Sequence, residues 1–437
     1  MSNKYSNLDY YKSKYSKYKN KYLTLKNIYG GMHNGITDNS TINNDIIFKL
    51  QVIELMKQII ELNKDKNLTV EKLMQKTTFD ENKNLVNLEL YGFKLEKLPD
   101  TFGNLRVLGN LNLYNNNLKE LPDTFGNLQV HGDLNLQGNL LEELPESFKN
   151  ITVVKTLNLS RNRLHTLSAS FLLIQVGDNV NLSYNKLNVF PEIEQRIDFC
   201  GLNLSYNNLK ALPETFENIK FFGNLNLSHN KLDILPRTFG NVYVKGRLEL
   251  NNNILNVLPD NFGSQVKGSL ELSFNQLRTL PETFTNIKIN GSLNLSYNDF
   301  YELPETFKHI TVLGELNLSS NQLHTLPESF GTIKVKNDLN LSKNELKTLP
   351  ESFGNINVDG NVNGNLNLSS NQLQTLPESF GKIKVKDNLN LSSNQLQTLP
   401  ESFNTICVDG YLNLSDNPLD SDKDKYTFDN IGRIIWK

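Results

Sequence analysis

The stretch LNLSSNQLQTLPESF, residues 389–403, holds the plan of most of the chain. Leu389 and Leu391 flank Asn390, the two-residue alternation of a strand that turns its leucines inward and its asparagine outward. Asn394 follows where the chain has to leave that strand, and Leu399-Pro400 with Phe403 close the unit. The pattern L-x-L-x-x-N-x-L-x-x-L-P-x-x-F recurs with its first residue at Leu88, Leu111, Leu134, Leu157, Val180, Leu202, Leu225, Leu248, Leu270, Leu293, Leu316, Leu339, Leu366, Leu389 and Leu412, fifteen copies in phase. The step is 23 residues, apart from two steps of 22 and one of 27. A period of this size marks a solenoid, in which no coil folds alone and both ends need caps.

Each position in the lattice has a physical task. The asparagines at Asn116, Asn139, Asn162, Asn185, Asn207, Asn230, Asn253, Asn275, Asn298, Asn321, Asn344, Asn371, Asn394 and Asn417 point inward at the bend. Their amides can satisfy backbone groups there, including those of the next coil. Losing such a buried partner costs about 1–3 kcal/mol. The first copy carries Phe93 instead, which suits an end coil. Leu-Pro then pre-sets a helical turn, and a core phenylalanine follows in thirteen copies. Beyond it, runs such as Gly331-Thr332-Ile333-Lys334-Val335-Lys336 alternate apolar and basic residues, predicting a short extended segment on the convex side. Gly109, Gly132, Gly223, Gly246, Gly268, Gly291, Gly314, Gly364 and Gly410, with Asn337, Asp178 and Asp387, then predict a turn at positive φ.

These fifteen copies resemble the leucine-rich repeat family. The resemblance implies an α/β fold, a curved horseshoe with a parallel sheet on the concave face. Short 3-10 or helical turns and extended segments would form the convex face. At about 4.8 Å per strand, the sheet would run roughly 70 Å. The chain departs from the commoner family pattern, which keeps a leucine just before the glycine turn, as Leu108 and Leu313 do.

The flanks divide the chain further. Residues 1–31 set Leu8, Tyr11, Tyr15, Tyr18, Tyr22, Leu25 and Tyr29 three and four apart among lysines, a basic amphipathic arm stopped at Gly30-Gly31. Its readings are a solvated arm or short coiled coil, or a targeting, assembly or membrane-surface tag, the membrane contact running through residues 1–29. With the Asn/Lys/Ile-rich composition, this opening resembles the N-termini of proteins of giant amoeba-infecting DNA viruses. Residues 32–44 read as a polar linker. Residues 45–84 read as a helical N-terminal cap, with Ile46, Ile47, Leu50, Ile53 and Ile60 on one helix face and a second helix over Leu68 to Leu73. The solenoid occupies 85–419. Phe428, Ile431, Ile434, Ile435 and Trp436 make 420–437 a C-terminal cap.

Charge and chemistry narrow the function. Forty-five basic against forty-seven acidic residues leave −2 overall, which offers nucleic acid no electrostatic footprint. Cys200 and Cys407 are too distant in the chain for a disulfide scaffold, and no apolar run is long enough for a membrane span. With no secretory signal, the chain reads as intracellular, and the N-x-[ST] sites that recur in ten strands as by-products of the L-N-L-S pattern read as unmodified. The six histidines show no metal spacing, and neither a phosphate loop nor a nucleophile elbow occurs. The expectation is a non-enzyme with no cofactor and no metal.

Variation concentrates in one column, the residue before each ladder asparagine. Arg161, Tyr184, Tyr206, His229, Phe274 and Tyr297 stand there in neighbouring coils, whereas the later coils carry Ser320, Ser370 and Ser393. Tyrosine with its amphipathic body favours hot spots, and concave solenoid faces are binding faces. The stripe therefore reads either as an anchor for a protein or peptide, which by family analogy would be a host protein, or as rings covering strand edges. The bland coils from Leu316, Leu366 and Leu389 read as spacer. They support a rival function, a virion or assembly component held by the arm. Localisation is then host cytoplasm or virion. The short coil from Val180 (FPEIEQRIDF, residues 190–199) and the four extra residues within Asn355 to Asn365 read as a kink and a tolerated insertion.

Overall fold

A computed structural model describes residues 41–64, 67–356, 361–419, 426 and 430–436. The arm of residues 1–31 lies outside the described residues, and so does Phe428. The chain divides into Met1–Gln51 and Val52–Lys437. Of the first unit, the described part is the opening of helix α1 (Thr41–Asn63), so Thr41 to Asn44, expected in the linker, are helical. The repeats occupy the second unit.

Every repeat contributes a strand to one parallel sheet, in strict register. Leu88 pairs with Leu111, Leu111 with Leu134, and so on to Leu389 with Leu412, so identical positions lie side by side. The register follows from burial. A slip of one residue would turn Leu111 and Leu113, both fully buried, out to solvent and bring Asn112 in.

The extended segments beyond the phenylalanines form shorter parallel sheets, such as Arg106–Val107, Gln129–Val130, Thr152–Val153 and Gln175–Val176, with Val107, Val130 and Val153 buried and Val176 half-buried. Among the described residues, these outer sheets are interrupted at the two coils that are one residue short, those from Val180 and Leu248. The strand sheet runs through both, so the outer segment absorbs the change of coil length.

Among the described residues, the turn between the two faces is a 3-10 helix in twelve coils, for example Asp123–Asn127. Proline stands just before it rather than in its first position. At Pro122, φ is −63° and ψ 149°, and the Pro122 carbonyl accepts the first turn's hydrogen bond from Phe125 N at 2.8 Å. Phe102, Phe125, Phe148 and Phe171 stack in sequence with ring centroids 6.0 to 6.2 Å apart. A second run extends from Phe307 to Phe403. In the short coil from Val180, Phe190 meets Phe216 edge-on at 5.1 Å, and Ile193 is buried where the turn is missing.

The turn glycines do not have the predicted backbone. Positive φ occurs at Gly92, Gly138 and Gly263, and not at Gly109, Gly132, Gly223, Gly246, Gly268, Gly291, Gly314, Gly364 or Gly410, nor at Asn337, Asp178 or Asp387. Close approach is the reason instead. A Cβ on Gly268 would lie 2.2 Å from the carbonyl oxygen of Gly246 in the preceding coil.

The start of the solenoid differs in two ways from the expected cap. The buried face of α1 is Val52, Leu55, Met56 and Ile59, whereas Leu50, Ile53 and Ile60 are half-buried; Ile46 and Ile47 have no described side chains. Apolar residues nearly surround this helix, so their spacing did not single out a face. Asn63 fixes the helix end to the first coil, accepting from Glu96 N and donating to Lys97 O. Helix α2 (Val70–Met74) follows, capped by Thr69 and anchored by Leu68 and Leu73. Strand β1 (Thr77–Phe79) then pairs antiparallel with β2 (Leu85–Glu89), covering a sheet edge that would otherwise be open. At the far end, Ile431–Ile435 adds a further parallel strand beside Cys407–Asn413.

Candidate functional site

The ladder asparagines define the bend that presents the variable column. Asn230 accepts from Leu209 N at 3.0 Å and donates to Leu204 O at 3.0 Å, Leu227 O at 3.1 Å and Ser228 O at 3.2 Å. Two of these partners belong to the preceding coil, so each asparagine reaches back and not, as expected, forward to the next. The same arrangement recurs from Asn116 to Asn417. A second amide acts on the open face: Asn226 Oδ1 accepts from Ser228 N at 2.9 Å and fixes the residue that precedes the column.

The column itself is left-handed. From Asn115 to Asp416 its non-glycine members have φ between 52° and 56°, and Gly138 takes the same place at 69°. Such a backbone costs an L-residue about 1–2 kcal/mol. Tyrosine, phenylalanine, histidine and arginine are unusual occupants, because bulky residues are the true outliers in this region.

The side chains stack along the solenoid. Tyr184 and Tyr206 have centroids 4.2 Å apart at 7°, Tyr206 and His229 4.0 Å at 10°, and Phe274 and Tyr297 4.2 Å at 9°. The Arg161 guanidinium lies 4.6 Å above Tyr184. An aromatic pair contributes about 0.5–1.5 kcal/mol, so a ring stacked on both sides can offset its backbone strain. Phe274 and Tyr297 have one such partner each, yet remain 47% and 45% exposed. All six expected site residues thus lie in one column, divided by Asn252 into runs of four and two.

Charge along the stripe is muted. Burial pushes the His229 imidazole below its ordinary range, so it is neutral at neutral pH. The Tyr206 phenol is raised, first by the Tyr184 hydroxyl beside it and then by burial. On the adjoining strands, Glu271 is raised by burial, offset in part by Asn294 and Arg247. Glu315 is raised by burial, then by Asp338 and Glu271.

Two features of this surface were missed in the sequence. Five residues beyond the column, most coils carry Lys, Glu or Thr, as at Lys97, Glu120 and Thr279, but the coils from Val180 to Leu248 carry Val189, Ala211, Ile234 and Val257. All four are exposed, Val189 by 61%. Glu249 and Glu271 stand where twelve coils have the open-face asparagine. Both departures become visible when the coils are read column by column. Cys200 is a free thiol pushed up to about 11 by burial, which makes it a poor nucleophile at neutral pH. Among the described residues, no group of three or more His, Cys, Asp or Glu is placed to hold a metal ion, and no helix is long and apolar enough to cross a membrane.

The left-handed column also gives a direct test. Ser370 has φ 56°. Ser370→Gly should raise stability by about 0.5–1 kcal/mol, relief of the left-handed strain less the extra entropy of unfolded glycine. Ser370→Val should lower it by about 1–2 kcal/mol, since a β-branched residue is least at ease there. Urea midpoints that fail to rank Gly above Ser above Val would refute this account of the bend.

The family model for the leucine-rich repeat matches residues 108–128 and 313–333. Both stretches open on a leucine, Leu108 and Leu313, that most coils have lost. No curated protein matches the chain in sequence. Among solved structures, a leucine-rich repeat protein from Leptospira interrogans is 26% identical, with 83% of this chain and 96% of that one covered and a TM-score of 0.58. YopM, a leucine-rich effector protein from Yersinia pestis, is 21% identical over 91% of this chain and 100% of its own, with a TM-score of 0.53. A chain of the Drosophila Toll–Spatzle complex is 21% identical over 75% of this chain and 50% of its own, with a TM-score of 0.53. Register, turns and these likenesses make the fold a leucine-rich repeat solenoid, of a class that generally mediates protein–protein interaction and is typically not catalytic.

Proposed function

We propose that this chain is a non-catalytic binding module that takes a protein or peptide on its sheet face, the concave face in the family resemblance. The stacked column from Arg161 to Tyr297 carries this reading: strained, bulky and still half-exposed rings occupy a place where Ser320, Ser370 and Ser393 suffice elsewhere. The exposed row of Val189, Ile234 and Val257 in the same coils supports it. So does the solved Toll–Spatzle assembly, in which a chain of this fold is part of a protein complex. Residues 1–31 act as an arm, 32–40 as linker, 41–84 as N-terminal cap, 85–419 as the reader and 420–437 as C-terminal cap. The setting is intracellular, and a host protein is the partner if the chain is viral.

A second reading, a structural or virion component, is favoured by the late coils, where Ser320, Ser370 and Ser393 fill the column around Lys343 and no ring stands. One comparison separates the two. The full chain and its Tyr184→Ala, Tyr206→Ala, Tyr297→Ala variant, both checked for folding by circular dichroism, are used to capture partners from host-cell lysate. Retention by the parent and at least tenfold loss in the variant is expected. Equal retention by both would make the stripe structural, and no partner for either would favour the assembly role.

A further inference from the structure

The aromatic column has a missing rung. Successive groups from Arg161 to His229 lie 4.6, 4.2 and 4.0 Å apart, and Phe274 and Tyr297 resume at 4.2 Å. Between the runs stands Asn252, with the same left-handed backbone (φ 56°) but no ring. Its amide ends well short of where a phenyl ring would reach. Two coil steps leave on the order of 8–10 Å between the His229 and Phe274 rings, about the room one planar group needs between two others.

The charge beside this gap is negative. Glu249 lies on the strand of the same coil and Glu271 on that of the next. Arg247 pairs with Glu249, Nη1 to Oε1, at 3.6 Å, whereas among the described residues Glu271 and Glu315 have no ion pair. Burial is the main cause that raises both of those carboxyls; at Glu271 it outweighs Asn294 and Arg247, with Glu249 adding to the rise, and at Glu315 Asp338 and then Glu271 add to it. His229, neutral at neutral pH, does not repel a cation. The chain already uses the contact in question, since the exposed Arg161 guanidinium covers Tyr184.

We infer that the gap over Asn252 is a slot for an arginine side chain of the partner, its guanidinium held between His229 and Phe274 in the field of Glu249 and Glu271. The inference rests on the protein-binding reading and names what that surface takes. Arginine fits better than lysine because its cation is flat and stacks on rings. It fits better than a neutral aromatic side chain because the flanking carboxylates attract it across less than a Debye length.

The test uses the full chain with labelled histidine and phenylalanine rings, followed by nuclear magnetic resonance. A capped Gly-Arg-Gly peptide should shift His229 and Phe274 together and bind at least about tenfold more tightly than its lysine and citrulline counterparts. Asn252→Phe places the chain's own ring in the slot, on a backbone that Phe274 shows to be compatible. It should weaken the peptide at least tenfold while leaving the urea midpoint unchanged or higher. Glu271→Gln should weaken it severalfold. The slot is refuted if neither ring responds, if lysine binds equally, or if N252F binds undiminished. N252F leaves the stripe tyrosines in place, so a lysate partner lost with the triple tyrosine variant but retained by N252F would sink the slot alone. A partner retained by both would sink the stripe as well.

Discussion

Phe330→Ala should cost about 3–5 kcal/mol, the range for truncating a fully buried phenylalanine. Phe330 has no exposed surface and lies 6.1 Å from Phe307 on one side and 6.1 Å from Phe353 on the other, its ring within 5° of both. Truncation therefore opens a void at two coil interfaces together. A solenoid is stabilised by nearest-neighbour terms, and weakening two adjacent ones should uncouple the coils before Leu316 from those after it. The unfolding transition is expected to broaden or split. Amide exchange should rise at Leu318 and Leu341, whose N–H groups bond to Asn340 O and Asn367 O, while Leu113 stays protected. Phe330→Leu keeps most of the volume and should cost roughly a third as much. A loss below about 1 kcal/mol for the alanine variant would mean the phenylalanines do not form a continuous core. The coil from Val180 shows what omission requires: it lacks this residue, and Phe190 and Ile193 are buried in compensation.

The repeating parts of the structure were legible because they are fixed by periodicity. Leu111 and Leu113 inward, Asn112 outward and Phe125 in the core need only local alternation and a neighbour of the same kind. What escaped depends on geometry between coils. Glycine serves both positive φ and close approach, and one sequence cannot say which; at Gly246 and Gly268 it is the second. The left-handed column did leave a trace, since Gly92, Asn115 and Gly138 precede the aromatic residues in it and Asn252 stands among them. Helix α1 was misread because several apolar stripes overlap on it. Strand β1, three residues of Thr-Thr-Phe, carries no period to read. At the candidate site the six column residues were named, but their stacking, the missing rung at Asn252 and the row from Val189 to Val257 emerge only when coils are compared side by side.

Asn230→Ala should destabilise by about 2–4 kcal/mol, although a few atoms of a polar side chain are all that is lost. The magnitude comes from what remains. Leu209 N–H and Leu204 O of the preceding coil lose their partner in a place closed to water, and a buried unsatisfied group costs about 1–3 kcal/mol. Asn230→Asp sharpens the test. Aspartate can still accept from Leu209 N, but it offers no donor to the carbonyls of Leu204, Leu227 and Ser228. These carbonyls and burial disfavour the charged form, so the folded pKa of Asp at 230 must lie above its unfolded value of about 3.9. The sign follows from linkage. Between those two pKa values the folded state binds more protons than the unfolded one, so the variant gains stability relative to the parent as pH falls through the raised folded value. Below the unfolded value the gain is complete, because a protonated carboxyl can donate to one carbonyl. At neutral pH N230D should be less stable than N230A, and the order should narrow or reverse in acid. Paired urea titrations at pH 7 and pH 4 would show this. An N230D deficit independent of pH would mean that the asparagine acts by shape and not by the hydrogen bonds that join one coil to the last.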